Sequence, residues 1–136
     1  MDDLIRQILT ETRVIALVGW SPKPDRPSHR VAEYLARRGY RVIPVNPGQA
    51  GEVTPWGETV RASLSEIEGP IDMVDIFRNS DAVTPVVEEA LSCQGKRVIW
   101  MQLGVINEEA AAKARAAGLK VVMNRCPAIE IPRLGL

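Results

Sequence analysis

Between Val18 and Arg30 the chain gathers Gly19, Ser21, Lys23, Arg26, Ser28 and Arg30 into one turn and the helix start that follows it. These residue types suit an anion. A glycine admits close backbone approach, serine hydroxyls hydrogen-bond, arginine and lysine add charge, and a serine at a helix start leaves amide groups facing a phosphate. Ser28 is expected to cap that helix through its side chain and, as an added role, to border the anion. Arg26 is held among Pro22, Pro24 and Pro27, which favours a contact role. A second charged position, Arg78, follows the apolar run Met73 to Phe77, where charge is unusual. The pair Phe77-Arg78 can stack on and edge an adenine ring, or Phe77 can belong to the core.

Other chemistries lack their residues. A dinucleotide fingerprint wants G-x-G-x-x-G in the first turn and an Asp or Glu about 20 residues later for a ribose 2′-hydroxyl. Here Gly19 is followed by Trp20 and Ser21, and the next apolar run ends in Asn46-Pro47. His29, the single histidine, has no visible partner to make it a base, and no serine or cysteine elbow accompanies it. No catalytic residue is therefore assigned. Cys93 and Cys126 lie far apart without C-x-x-C spacing or a set of histidines, so no metal site is expected and reduced, structural thiols are the default. Glu88-Glu89 and Glu108-Glu109 lie on expected helices, where neighbours point in different directions and read as solvated faces.

These residues need a frame. The runs Val14 to Val18, Val42 to Val45, Met73 to Phe77, Val98 to Met101 and Val121 to Met123 are short, Val/Ile-rich and non-alternating, the pattern of strands buried on both faces. Helical spacing marks residues 2–11, 28–38, 81–94 and 107–117, with Gly39, Gly95 and Gly118 placed as C-terminal caps. The crossover over residues 47–71 is the least regular, with one weak helical segment at Ser63 to Ile67. The sum is an α/β domain over residues 1–136: a three-layer Rossmann-like, doubly wound, mostly parallel five-stranded sheet with helices on both faces. In such sheets ligands bind outside the carboxyl ends of the strands, near the point where strand order reverses. Four segments should meet there: Gly19 to Ser28, Asn46-Pro47, Phe77 to Ser80, and Gln102 to Gly104. Trp20 either lines the resulting pocket or shields the sheet edge, and the tail Asn124 to Glu130 is open between edge contact, dimer element and part of the site.

Composition narrows the class. The chain has 136 residues, 46% of them hydrophobic and 25% charged, with seventeen Lys plus Arg against seventeen Asp plus Glu. That suits one globular domain, and it removes the overall basic field expected of a binder of long nucleic acids. The N-terminus lacks the basic start and apolar core of a signal peptide, and no apolar run nears the ~20 residues that span a bilayer. A cytoplasmic protein with neither nucleic acid nor membrane as partner is expected.

Together, Val18-Gly19-x-Ser21, Arg26-Pro27-Ser28, Tyr34-Leu35, Gly39-Tyr40-x-Val42-x-Pro44-Val45-Asn46-Pro47, Asp72 to Arg78, Gln102-x-Gly104-Val105 and Met123 to Pro127 are specific. The chain resembles the small stand-alone CoA-binding proteins, themselves similar to the N-terminal CoA-binding domain of the succinyl-CoA ligase alpha subunit and of ADP-forming acyl-CoA ligases. The resemblance implies coenzyme A as ligand. It puts Gly19, Trp20, Ser21, Arg26, Pro27 and Ser28 around the diphosphate, with Asn46 and Pro47 beside it. It puts Phe77, Arg78, Ala82 and Val86 at the adenine-ribose end, and Gln102 and Gly104 on the pantetheine side. Trp20 departs from the small residue usual in the family, and is expected to narrow the cleft or reshape the phosphate turn. The ligases draw a phosphorylatable histidine and nucleotide-grasp machinery from other domains, so the resemblance implies binding of CoA or acyl-CoA without catalysis. Two other readings remain open. One is a subunit or thiol-exchange component of a CoA-dependent enzyme, with Cys126 a better candidate than Cys93 for a mixed disulfide. The other is a degenerate Rossmann domain used as an interaction surface, which a Trp20 filling the cleft would favour.

Overall fold

The computed structural model describes residues 1–136. Five short apolar strands, β1 (Val14–Val18), β2 (Arg41–Val45), β3 (Met73–Ile76), β4 (Val98–Met101) and β5 (Val121–Val122), form one sheet in the order β2-β1-β3-β4-β5. Every pairing is parallel, where the sequence indicated mostly parallel. The chain leaves β1 for β2 on one side and returns to β3 on the other, so the strand order reverses between β1 and β3. There the loops leaving β1 and β3 diverge and open a crevice at the strands' carboxyl ends.

Strands this apolar must be covered twice. Ala16, Val18, Val74, Ile76, Ile99 and Met101 pack against α3 (Val83–Ala90) and α4 (Glu108–Ala116). Ile15, Leu17, Met73, Val98 and Trp100 pack against α1 (Asp2–Glu11), α2 (Pro27–Arg37) and α5 (Pro127–Arg133). α2 shows how local sequence makes the frame: Pro27 opens it with a preset φ, Val31, Ala32 and Leu35 share the buried stripe, and Gly39 at φ +99° follows its end.

Three local expectations change. Ser28 is not a cap: the N-cap position is Arg26, without a side-chain cap bond, and Ser28 sits inside the first turn, where its Oγ accepts from the Ser21 N–H at 3.0 Å. α3 ends at Ala90 rather than near 94, so Gly95 does not cap it. Its φ is +98°, and a Cβ there would stand 2.4 Å from the Ile71 carbonyl oxygen. Gly95 is required by a close backbone approach before β4. The weak helical segment at Ser63 to Ile67 is a single 3-10 turn, Leu64–Glu66.

The tail becomes α5, which packs on α1 and α2. Glu130, 4% exposed, accepts from Arg125 at 3.1 Å and from Arg133 at 2.8 Å, and Arg133 also reaches Asp2 at 2.8 Å. Two guanidinium groups thus neutralise a buried carboxylate and tie the last helix to the first.

Candidate functional site

Four strand ends build one cleft of about 910 Å³. From β1 come Gly19, Ser21, Lys23 and the start of α2, with Arg26, Pro27, Ser28, Arg30, Val31 and Tyr34. β3 contributes Phe77, Arg78 and Asn79, β4 contributes Gln102, Leu103 and Val105, and the end of β5 contributes Cys126, Ala128 and Ile129.

The β1 turn is held from several sides. The Gly19 N–H bonds to the Val45 carbonyl at 2.9 Å, and the Asn46 side-chain amide donates to the Trp20 carbonyl at 2.6 Å. Asn46 Oδ1 also accepts from the Gly48 N–H at 2.9 Å. His29 Nδ1 lies 3.0 Å from the Ser21 carbonyl, and because a carbonyl only accepts, Nδ1 carries the proton and donates. The lone histidine therefore fastens the loop. Its ring stacks on Trp20 at 5.6 Å between centroids.

Gly19 is required here. A Cβ on it would stand 2.1 Å from the Phe77 carbonyl oxygen, and its φ is +91°. Gly19→Ala is expected to cost about 3 kcal/mol from left-handed backbone strain and the displaced peptide. A lowered urea midpoint with an unchanged m-value is the expected readout.

Charge gathers at the β1 and β3 ends. Lys23, Arg26, Arg30 and Arg78 all face the cleft, and none makes an ion pair with a carboxylate. Arg30 is steered by a 2.6 Å bond to the Asp25 carbonyl. In a chain whose formal charges cancel, this is a local positive field beside backbone amides, the setting a multiply charged phosphate ligand requires.

The floor is different. Gln102 is 5% exposed and its Oε1 has no hydrogen-bond partner, and Cys126 beside it is also 5% exposed. Beneath them Asp75, in the middle of β3, is fully buried with both carboxyl oxygens unpartnered. Burial holds its proton well above the usual carboxylate range. Burial likewise pushes the Cys126 thiol up; a Gln102 hydrogen bond and backbone N–H groups oppose the shift, and the Asp75 carboxyl adds to it. Leu103 and Ile129, 54% and 50% exposed, form apolar lips.

Of the residues singled out from sequence, Gly19, Ser21, Arg26, Pro27, Ser28, Phe77, Arg78 and Gln102 line the cleft, while Trp20, Asn46, Pro47, Ala82, Val86 and Gly104 lie outside its walls. Trp20 turns into the core at 4% exposure, leaving the cleft open. Asn46 acts on the cleft indirectly, through the Trp20 carbonyl. Asp75 was legible but unused: a carboxylate inside an apolar strand is itself a signal. Tyr34 was legible too, one helical turn beyond Arg30 on the same face. Ala128 and Ile129 belong to the tail whose role the sequence left open, and the docking of α5 brings them to the cleft.

Residues 13–132 match the family model described as CoA binding domain. The chain belongs to the CoA-binding domain family. It is 41% identical over 122 residues to the uncharacterized protein YneT of Bacillus subtilis (strain 168), covering 90% of this chain and 87% of YneT. A hypothetical protein from Pyrococcus horikoshii OT3 superimposes with a TM-score of 0.92 at 42% identity, over 100% of this chain and 93% of that one. An acetyl-coenzyme A synthetase from Ca. Korarchaeum cryptofilum, in complex with phosphate and ADP, gives a TM-score of 0.70 at 23% identity, over 90% of this chain and 27% of the synthetase. That last likeness is one of fold. The Rossmann-like parallel sheet is as the sequence indicated, whereas the crevice takes the end of β5 in place of the expected Asn46-Pro47 after β2. No helix is long and apolar enough to cross a membrane.

Proposed function

We propose that this chain is a cytoplasmic module that binds CoA or an acyl-CoA and performs no chemistry on it alone. The observation that carries this reading is the convergence of Lys23, Arg26, Arg30 and Arg78 on the Gly19–Ser21 turn within one cleft. CoA fits the residues present. Its phosphate groups match four cations without carboxylate partners, and its amide-containing arm brings donors to the unpartnered Gln102 Oε1. At about 910 Å³ the cleft is at the upper end of the ~300–1,000 Å³ range of small-molecule sites. The aromatic Phe77 stands beside Arg78, as an adenine would use. Because Trp20 is packed into the core, the open cleft supports a ligand site over a bare interaction surface.

The test is calorimetric titration of the reduced protein with CoA, using 3′-dephospho-CoA and NAD as comparisons. Binding of CoA at about micromolar Kd, near −8 kcal/mol, with little for NAD, is expected. Equal binding of CoA and NAD, or none of either, would remove the CoA reading.

A further inference from the structure

The Cys126 thiol lines the cleft beside Gln102, whose buried Oε1 has no hydrogen-bond partner within the protein. Resting on the CoA reading above, we propose that Cys126 is a covalent attachment site, forming a mixed disulfide with the thiol end of the ligand by exchange with CoA disulfide. In that exchange the Cys126 sulfur attacks one sulfur of CoA disulfide. A protein–CoA disulfide forms, the CoA–CoA bond breaks, and one CoA leaves as the thiol carrying the proton that Cys126 gave up. The oxidant is the CoA disulfide itself.

Reach permits it. The cations stand after β1 and β3, whereas Cys126 follows β5 and lies over the β3–β4 region, near Asp75 and Gln102. One to two strand spacings of ~4.8 Å separate β1 from that region, about 5–10 Å. The arm from the CoA diphosphate to its sulfur contains about as many bonds as four extended residues, and so reaches ~14 Å. A diphosphate at the β1 turn therefore leaves the sulfur within reach of Cys126.

Burial makes the site selective. Cys126 has little exposure to bulk disulfides, so a partner that docks through its phosphates gains proximity that a free one lacks. Burial raises the thiol pKa, which slows attack on every disulfide alike, leaves the selectivity to docking, and makes Cys126 a poor leaving group once bonded. Cys93 offers no such setting: its Sγ faces the Leu64 and Glu89 carbonyls on the far side of the sheet, away from the cleft.

The experiment is incubation of the full chain with CoA disulfide or glutathione disulfide, followed by intact mass and peptide mapping. The expected result is one reductant-sensitive CoA adduct per chain, mapped to Cys126, formed about ten-fold or more faster than the glutathione adduct. It should persist in Cys93→Ser and vanish in Cys126→Ser. An adduct mapped to Cys93, equal rates for the two disulfides, or no adduct would each overturn the proposal. Titration of the reduced wild-type chain with CoA separates the two readings. Binding without adduct removes only the covalent step, whereas absence of binding removes both.

Discussion

The double variant Ser21→Ala/Arg26→Ala is expected to lose at least about 100-fold in CoA affinity, because each charge-assisted phosphate contact contributes about 1.5–3 kcal/mol. Arg26 lies at the N-terminal boundary of α2, faces the cleft and has no carboxylate partner to satisfy it. Ser21 Oγ accepts from the Lys23 N–H at 3.2 Å, so its loss also relaxes the tip of the turn. The Ser21 N–H keeps its bond to Ser28 Oγ, and the fold should survive. Arg115→Ala, at an exposed position of α4 outside the cleft lining, is the control and should bind CoA as the parent does. If calorimetry finds the double variant within about three-fold of the parent, the phosphate site is not at this turn. Raising salt should weaken the parent more than the variant, since the lost contacts are the screened ones.

Asp75→Asn should be more stable than the parent at neutral pH, by an amount that grows with pH. The carboxyl sits unpartnered in the sheet interior, and burial raises its folded-state pKa well above the ordinary 3.8. The sign follows from linkage. Above about pH 4 the unfolded chain releases this proton while the folded chain keeps it, so the folded state binds more protons and stability falls as pH rises. The loss runs at about 1.4 kcal/mol per pH unit and stops only above the folded-state value. Asparagine is nearly the same shape, stays neutral throughout and removes that slope. Urea melts of both chains at pH 4.5, 6 and 7.5 check this: the difference should widen at each step. A constant difference would mean that Asp75 is ionised and solvated in the fold.

Asp75 also shows where reading a sequence stops. The run Met73 to Phe77 is apolar enough to mark a buried strand, and that inference holds over Met73–Ile76. Whether the aspartate within it meets a cation, a water or nothing depends on β4 and α5, which lie further along the chain at Val98–Met101 and Pro127–Arg133. Ser28 is a second instance. Serine at a helix start has a strong intrinsic preference for capping, but Pro27 takes the first helical position and the Ser21 N–H competes for the hydroxyl. A tertiary bond overrides a local preference worth about 1 kcal/mol. Trp20 is the third. Its size was evident, yet which way it turned depended on His29 offering a ring to stack against and on α2 leaving room in the core.

What the sequence determined by itself was periodic or local. Short runs of Val and Ile without alternation read as two-sided strands, glycines follow the ends of α2 and α4, and a turn dense in Gly, Ser, Arg and Lys has the residue types that suit an anion. Those signals placed the sheet, its layers and the β1 half of the cleft. Only the tertiary structure decided the other half. The reversal of strand order between β1 and β3, and the docking of α5 against α1 and α2, bring Cys126, Ala128 and Ile129 to the same cleft as Arg26, about a hundred positions away. No local pattern encodes such a meeting. It follows from each amphipathic helix covering the apolar sheet face that remains, and that choice is made by the whole chain at once.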